Sequence, residues 1–209
     1  MESYIVIIGD IEHSKQLPAD ERKEVQKNLE SVFYKLNRAS GHIISPYTIT
    51  LGDEFQTVYD SAVDIFQHIW TVMATIHPVY VRISIGVGEI TTEIKQKNAL
   101  GMDGPAFHKA REQLLQMKQN KLLLSVSAED ERFSRLVNNS FRILDVNLRS
   151  WKKNRFTILQ KLYEGKEVKQ IAKEIGLSEV AVYKNINAGT LDAVRGLCDS
   201  ISDMLEEML

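Results

Sequence analysis

Two short acidic segments carry the side chains of this chain that are best suited to chemistry. Asp10 follows the apolar run of residues 4–8, and Asp53 and Glu54 follow Gly52 in a stretch rich in β-branched and aromatic residues. Carboxylate oxygens are the ligands that Mg²⁺ prefers, and one or two carboxylates together with substrate phosphates usually hold the ion. These acids form a candidate cation site if the fold brings Asp10 beside Asp53.

The apolar pattern around the acids predicts strands. Residues 4–8 are continuously apolar, which is typical of a strand buried on both faces. Residues 47–51 and 55–59 flank Gly52-Asp53, a pair suited to a tight hairpin. Apolar residues at helical spacing predict a helix over residues 20–37. The order of strand, helix and hairpin indicates a split βαβ, or ferredoxin-like, unit.

In such a unit the third strand lies antiparallel beside the first strand. We therefore expect Asp10 and Asp53 to be neighbours at one edge of the sheet. Two carboxylates this close repel each other, and a divalent cation, Mg²⁺ or Mn²⁺, would relieve the repulsion. The alternative for Asp53 is a turn residue that tolerates unusual backbone angles.

The loop after Asp10 offers a candidate phosphate site. Ser14 and Lys15 shortly precede the predicted helix, and backbone N–H groups near a helix start favour an anion. The alternative for Lys15 is a solvated loop lysine.

Periodicity predicts the remaining elements of the first 126 residues. We expect a four-stranded sheet with two helices on one face, followed by a further helix and strand. His68 and His77 belong to no motif and are expected at the surface. The helices are predicted over residues 61–76 and 106–118, and the strands over residues 79–87 and 121–126.

Four motifs occur in a fixed order: Asp10, LGDEF at residues 51–55, RISIGVGE at residues 82–89 and DGPAFHKAR at residues 103–111. This set resembles the palm-type catalytic domain of nucleotide cyclases and GGDEF diguanylate cyclases over roughly residues 1–125. The whole chain resembles the SatD family of small bacterial proteins, in which a cyclase-like palm precedes a helix-turn-helix.

The resemblance to palm enzymes implies roles for the acidic residues. Asp10 and Asp53 would bind the metal together with the backbone carbonyl of Ile11, and all three acids, including Glu54, would serve catalysis. Glu54 has its counterpart in GGDEF enzymes and not in nucleotide cyclases. Leu51 stands where GGDEF enzymes have their first glycine, which argues against diguanylate cyclase activity.

The resemblance also implies contacts to a nucleoside triphosphate from the helix after residue 105. His108 stands where cyclases have an asparagine, and Arg111 follows three residues later on an adjacent turn of the same face. The pair is predicted to bind phosphates, although the histidine puts cyclisation in question. The alternative for Arg111 is an ordinary surface arginine.

After residue 148 the character of the chain changes. The basic residues 149–155 mark a predicted boundary between a palm domain, residues 1–148, and a second domain, residues 149–209. The predicted fold is α+β: a ferredoxin-like, cyclase-like antiparallel sheet with helices, followed by a small all-α helix-turn-helix domain.

Residues 167–186 have the spacing of a helix-turn-helix. Ala172 is small where the second helix must cross the first, Gly176 lies at the turn, and Ser178 can cap the second helix. In this motif the second helix enters the major groove of DNA. The alternative is a docking module without DNA binding. The residues predicted to contact DNA are Glu179, Tyr183, Lys184 and Asn185.

The net charge, the cysteine content and the last predicted helix indicate which partners the protein could have. A net charge of −2 gives no global sign of nucleic acid or membrane, and no apolar run approaches a membrane span of about 20 residues. The lone Cys198 fits a reducing cytoplasm. The apolar stripe of residues 190–209 packs on its own domain or on another copy, and we predict a homodimer because such DNA readers usually work as dimers.

These observations predict a cytoplasmic bacterial regulator. Its palm would bind a nucleotide with a divalent metal, and its C-terminal domain would bind DNA. If the palm is catalytic, the chemistry would be nucleotidyl transfer or cyclisation. The alternative is a non-catalytic DNA-binding or adaptor protein whose palm serves dimerisation or sensing.

Overall fold

The computed structural model describes residues 2–50 and 52–209, and a five-stranded sheet lies at its centre. The strands are β1 (Tyr4–Ile11), β2 (Ile43–Ile49), β3 (Glu54–Tyr59), β4 (Val81–Gly88) and β5 (Leu124–Ser127). The helices are α1 (Ala19–Ala39), α2 (Ile65–Ile76), α3 (Pro105–Asn120), α4 (Glu131–Leu148), α5 (Lys153–Tyr163), α6 (Val168–Ile175), α7 (Glu179–Gly189) and α8 (Leu191–Glu206).

The strand order is β2-β3-β1-β4-β5, and β1 pairs antiparallel with both β3 and β4. The first four strands therefore have the order of a split βαβ unit, and the predicted pairing of the first and third strands is confirmed. The prediction of an antiparallel sheet is wrong for β5, which pairs parallel with β4. The reason is α3, which crosses over the sheet and returns the chain in the same direction.

The sheet is covered on both faces, which explains the continuous apolar run of β1. Ile5 and Ile7 join the cluster that contains α1 and α2, whereas Val6 and Ile8 join the cluster that contains α3. The two predicted helices do share one face, and α3 packs on the opposite face. A Cβ atom at Gly86 would overlap the backbone of α3, so a glycine is required there.

The C-terminal helices pack directly on α2. The rings of Trp70 and Trp151 lie 6.4 Å apart, and Phe156 packs against Trp151 and His77. Buried residues of α5 to α8 belong to the same apolar cluster as those of the sheet. The predicted domain boundary between residues 148 and 149 stays a prediction. The residues before and after it share one apolar core.

The last helix uses its apolar stripe within the chain. Val194, Cys198 and Ile201 are buried in the shared core. Most of the stripe is therefore covered within the chain, whereas Met204 is 41% exposed. The predicted homodimer stays a prediction. Over residues 2–50 and 52–209, no helix is both long enough and apolar enough to cross a membrane.

The expectation that His68 lies at the surface is wrong. Its side chain is buried, and its Nδ1 atom lies 2.6 Å from the Tyr59 hydroxyl, which also contacts the Tyr47 hydroxyl at 2.8 Å. His68 is one turn after Ile65, on the face of α2 that meets the sheet, and the tyrosines supply its polar partner. His77 is half-buried, with Nε2 3.1 Å from the Trp151 carbonyl oxygen.

Burial of His68 predicts a loss of stability in mild acid. Burial lowers the pKa of the imidazole from 6.5 to about 4, so the unfolded state binds the proton first as the pH falls. Stability from this group is complete above pH 6.5 and falls toward pH 4, by about 2 kcal/mol at pH 5.

The measurement is urea unfolding between pH 7.5 and 5 for the wild type, His68→Gln and the exposed-site control His13→Asn. We expect the glutamine variant to lose about 2 kcal/mol less than the wild type over this range, and the control to follow the wild type. Identical slopes for all three proteins would contradict the assignment.

Candidate functional site

The sheet register places three charged residues side by side. Asp10 on β1 lies opposite Glu54 on β3 and opposite Arg82 on β4. Directly opposite residues of antiparallel strands project from the same face, here the face covered by α3. The Ile11 N–H donates to the Asp53 carbonyl oxygen at 3.1 Å, so the end of β1 lies beside the turn that precedes β3.

The carboxylate of Asp10 is the centre of this group. Asp10 is only 4% exposed, and its Oδ2 atom lies 3.1 Å from Lys118 Nζ and 3.5 Å from Arg82 Nη1. Lys118 also donates to Glu54 Oε1 at 3.0 Å. Within the described chain, the buried Oδ1 atom of Asp10 has no hydrogen-bond partner.

Burial and charge act in opposite directions on these groups. Burial raises the pKa of the Asp10 carboxyl above its usual range, although Lys118 and Arg82 counteract part of this effect. Partial burial disfavours the ammonium of Lys118, but hydrogen bonds to Glu54 and Asp10 raise its pKa overall. The acids therefore stabilise the charged form of Lys118, whereas the cations only partly offset the cost of burying the Asp10 carboxylate.

Asp53 is held separately from Asp10. The Ser14 hydroxyl donates to Asp53 Oδ2, and the Gln26 side chain donates to the Gly52 carbonyl oxygen at 2.7 Å. These bonds fasten the turn to the loop after β1 and to α1. Leu51 lies outside the described residues, so its predicted effect on diguanylate cyclase activity stays a prediction.

The side chains of Asp10 and Asp53, the two predicted metal ligands, have different partners although their backbones lie close together. Asp10 contacts Lys118 and Arg82, whereas Asp53 contacts Ser14. Among residues 2–50 and 52–209, no group of three or more His, Cys, Asp or Glu side chains is arranged to hold a metal ion. A cation at this place would need backbone or substrate oxygens to complete its ligands.

Behind the site a second buried acid connects it to the C-terminal region. Glu12 is 5% exposed and accepts from Arg82 at 2.9 Å and from Arg149 at 2.9 and 3.2 Å. Burial alone would raise the pKa of the Glu12 carboxyl, but Arg149 and Arg82 hold it below its usual range. Arg149 also pairs with Asp145 of α4 at 3.1 Å. Buried ion pairs thus run from Asp10 to the junction of α4 and α5.

The structure does not bring His108 to this group. His108 is exposed, and its Nε2 atom lies 2.7 Å from Asp103 Oδ1. A backbone bond from Ala106 to Glu89 anchors the start of α3 beyond the end of β4, opposite the start of β1. Ten residues of helix, about 15 Å, separate His108 from Lys118 near Asp10.

Lys118 and Arg82 were missed as site residues by the sequence analysis. Lys118 follows Arg111 by seven residues and lies on the same helix face. An arginine between Val81 and Ile83 in a doubly covered strand must be paired, because an unpaired buried charge is costly. Both signals are present in the sequence. Arg111 and Lys15 are exposed.

The predicted helix-turn-helix residues lie on two short packed helices. Gly176 has a φ of 69° at the turn, and the Ser178 hydroxyl caps α7 by accepting from the Ala181 N–H at 3.2 Å. The predicted contact residues Glu179, Tyr183 and Lys184 are exposed. Asn185 is half-buried and donates to the Ala181 carbonyl oxygen at 2.8 Å.

Fold and site together define an α+β protein in which a split βαβ sheet, with acids at one edge, is followed by a packed group of helices. The sequence matches the SatD family over residues 4–194, and the chain belongs to that family.

Solved structures give a weaker likeness. Two structures of a bacterial light-regulated adenylyl cyclase align at 19% and 16% sequence identity, each with a TM-score of 0.43 and 60% of this chain covered. The alignments cover 43% and 42% of those chains, so this protein spans less than half of their length. No curated protein matches the chain.

The buried pair between Glu12 and Arg149 predicts a strong stability effect. Arg149→Met leaves Glu12 with Arg82 alone, and we expect a loss of about 3 kcal/mol because a buried charge loses a partner. The effects of Glu12→Gln and Arg149→Met should be non-additive by at least about 1 kcal/mol, since the double variant loses their shared ion pair only once.

Denaturant unfolding at pH 7.5 measures both effects, with Arg135→Met on the exposed face of α4 as the control. The control should change stability by less than about 0.5 kcal/mol. Additive effects of the Glu12 and Arg149 substitutions would show that the pair does not stabilise the junction.

Proposed function

We propose that the N-terminal region binds a nucleoside triphosphate with Mg²⁺ or Mn²⁺ between Asp10 and Asp53. One observation carries this proposal: the nearly fully buried carboxylate of Asp10 has an oxygen without a partner among the described residues, and it lies beside the turn that carries Asp53. A polar atom buried in this way calls for a partner, and a cation with oxygen ligands supplies one.

The residues present fit such a cation. Asp10, Asp53 and the Ile11 carbonyl would hold it, with Glu54 alongside Asp10 as the third acid of the proposed catalytic set. When bound, the ion would acidify a ribose hydroxyl and neutralise a pyrophosphate leaving group. Nucleotidyl transfer or cyclisation is therefore the reaction class that fits this site.

The phosphate contacts of the nucleotide would come from two sides. Ser14 and Lys15 lie on the short turn between β1 and α1, and Ser14 already reaches Asp53. Arg111 is exposed on the face of α3 that carries Lys118. His108 would contribute only at the far end of the phosphate chain, because it lies one turn beyond Arg111 and pairs with Asp103.

The C-terminal helices are proposed to bind DNA through α7. Val180, Tyr183 and Lys184 are exposed on this helix, and the first two are large apolar or aromatic side chains left outside the core. Residues 151–195 contain nine Lys and Arg against five acids, which supplies a modest attraction for phosphates. Glu179 and Asn185 would complete the contacting face.

The competing proposal is a non-catalytic protein whose palm serves sensing or dimerisation. It is favoured by the absence of a shared partner between Asp10 and Asp53 among the described residues. Binding and product formation separate the two proposals, because a sensor binds a nucleotide without converting it.

Calorimetry with ATP and with GTP, each in the presence of Mn²⁺, tests the nucleotide site. We expect saturable heat for at least one nucleotide in the wild type. Asp10→Asn and Asp53→Asn should each weaken binding at least about tenfold, since each removes a charge from the cation. Asp20→Asn, in the exposed first turn of α1, should bind like the wild type. Equal heats for all variants would place the nucleotide elsewhere, and no heat with either nucleotide would end the proposal.

Fluorescence anisotropy with a mixed-sequence 30-base-pair duplex tests DNA binding. We expect binding at low salt that weakens as salt rises. Lys184→Ala should weaken it and reduce the slope of log K against log salt by about one unit, because one phosphate contact is lost. The control is Lys166→Ala, whose ammonium already pairs with Glu174 and Glu164. An unchanged salt slope for the Lys184 variant would exclude α7 as the contact surface.

A further inference from the structure

The ammonium group of Lys118 lies between two carboxylates of the proposed cation site. It is 3.1 Å from Asp10 Oδ2 and 3.0 Å from Glu54 Oε1, at ion-pair distance from both. These carboxylates lie on adjacent strands in direct register, so one group from α3 bridges β1 and β3.

The ammonium group of Lys118 and a divalent cation would play the same electrostatic role beside these acids. Each supplies positive charge to the Asp10 carboxylate, which is too deeply buried to be stabilised by water. A divalent cation at Asp10 Oδ1, which has no partner among the described residues, would share the carboxylate whose Oδ2 atom pairs with Lys118. The two cations would therefore repel each other and compete for the charge of one carboxylate.

The side chain of Lys118 can move away from Asp10 more easily than the side chain of Arg82. The Lys118 side chain is 36% exposed on the last turn of α3, whereas the Arg82 side chain is 8% exposed and is also held by Glu12. The flexible four-carbon stem of a lysine can swing the ammonium into solvent without backbone movement. Arg82 remains as the permanent counter-charge of Asp10, and Lys118 is the exchangeable one.

We infer that Lys118 is a tethered counter-cation that neutralises the Asp10 carboxylate in the absence of metal and must be displaced when a divalent metal binds that carboxylate. The inference rests on the proposed function, since it concerns the metal of that site. It implies that the free protein binds a divalent cation weakly and that Lys118 sets this affinity. Asp10 and Glu54 keep their geometry without metal because the ammonium holds them together.

Titration with Mn²⁺ alone, followed by the electron paramagnetic resonance signal of the free ion, tests the inference on the full chain. We expect Lys118→Met to bind Mn²⁺ at least about tenfold more tightly than the wild type, because the competing charge is gone. The control is Lys109→Met on the same helix, whose ammonium bonds to the Val87 carbonyl and reaches neither acid. It removes the same charge and should change the dissociation constant by less than about twofold.

Two further variants make the outcome decisive. Lys118→Gln keeps a polar side chain and should also gain affinity, which answers the case in which the methionine variant does not fold. Adding Asp10→Asn to Lys118→Met should abolish the gain, because the released oxygen is then neutral.

The outcomes separate this inference from the proposed function. Equal Mn²⁺ affinity in the wild type and both Lys118 variants would overturn the inference and leave the metal site standing. An equal gain in the Lys109 variant would also overturn it, because the effect would then be one of net charge. If neither the wild type nor any variant binds Mn²⁺, both are wrong. Tighter Mn²⁺ binding by the Lys118 variants, without nucleotide binding by the wild type, would support the inference and refute the proposed nucleotide binding.

Discussion

The buried carboxylate of Asp10 is the constraint on which the rest of this structure depends. A charge removed from water needs compensation close by, and two cations from different parts of the chain supply it. Arg82 in turn requires Glu12, and Glu12 requires Arg149. One acid at the end of β1 thus fixes the side-chain arrangement across β4, α3 and the end of α4. Such a network is costly to build, because each buried charge must be compensated by a partner.

The parts of the fold that depend on local pattern could be predicted from the sequence. The apolar run of β1 and the hairpin motif were sufficient to place Asp10 beside the turn of Asp53, because a split βαβ unit allows one neighbour for the first strand on that side. The direction of β5 was not predictable from its own residues, since it depends on the path of α3. The SatD resemblance is confirmed by the family match.

The charge partners in the site could be predicted only in part. Arg82 is a charged residue within an apolar strand, and its burial follows once both faces of the sheet are known to be covered. Lys118 has no local signal beyond its spacing from Arg111, and its contact with Asp10 depends on how far α3 extends over the sheet. The burial of His68 is not predictable for a related reason: its partner, the Tyr59 hydroxyl, and the Tyr47 hydroxyl next to it come from two other elements of the chain.

The packing of α5 and α8 on α2 affects how a fragment of the N-terminal region would behave. A fragment that stops at residue 148 would retain every strand and the acids of the sheet edge. It would nevertheless strip the apolar cover from Trp70 and leave Glu12 with a single guanidinium. The shortened chain would expose apolar surface and would be prone to aggregate. Its aggregation would therefore say nothing about its capacity to bind ligands.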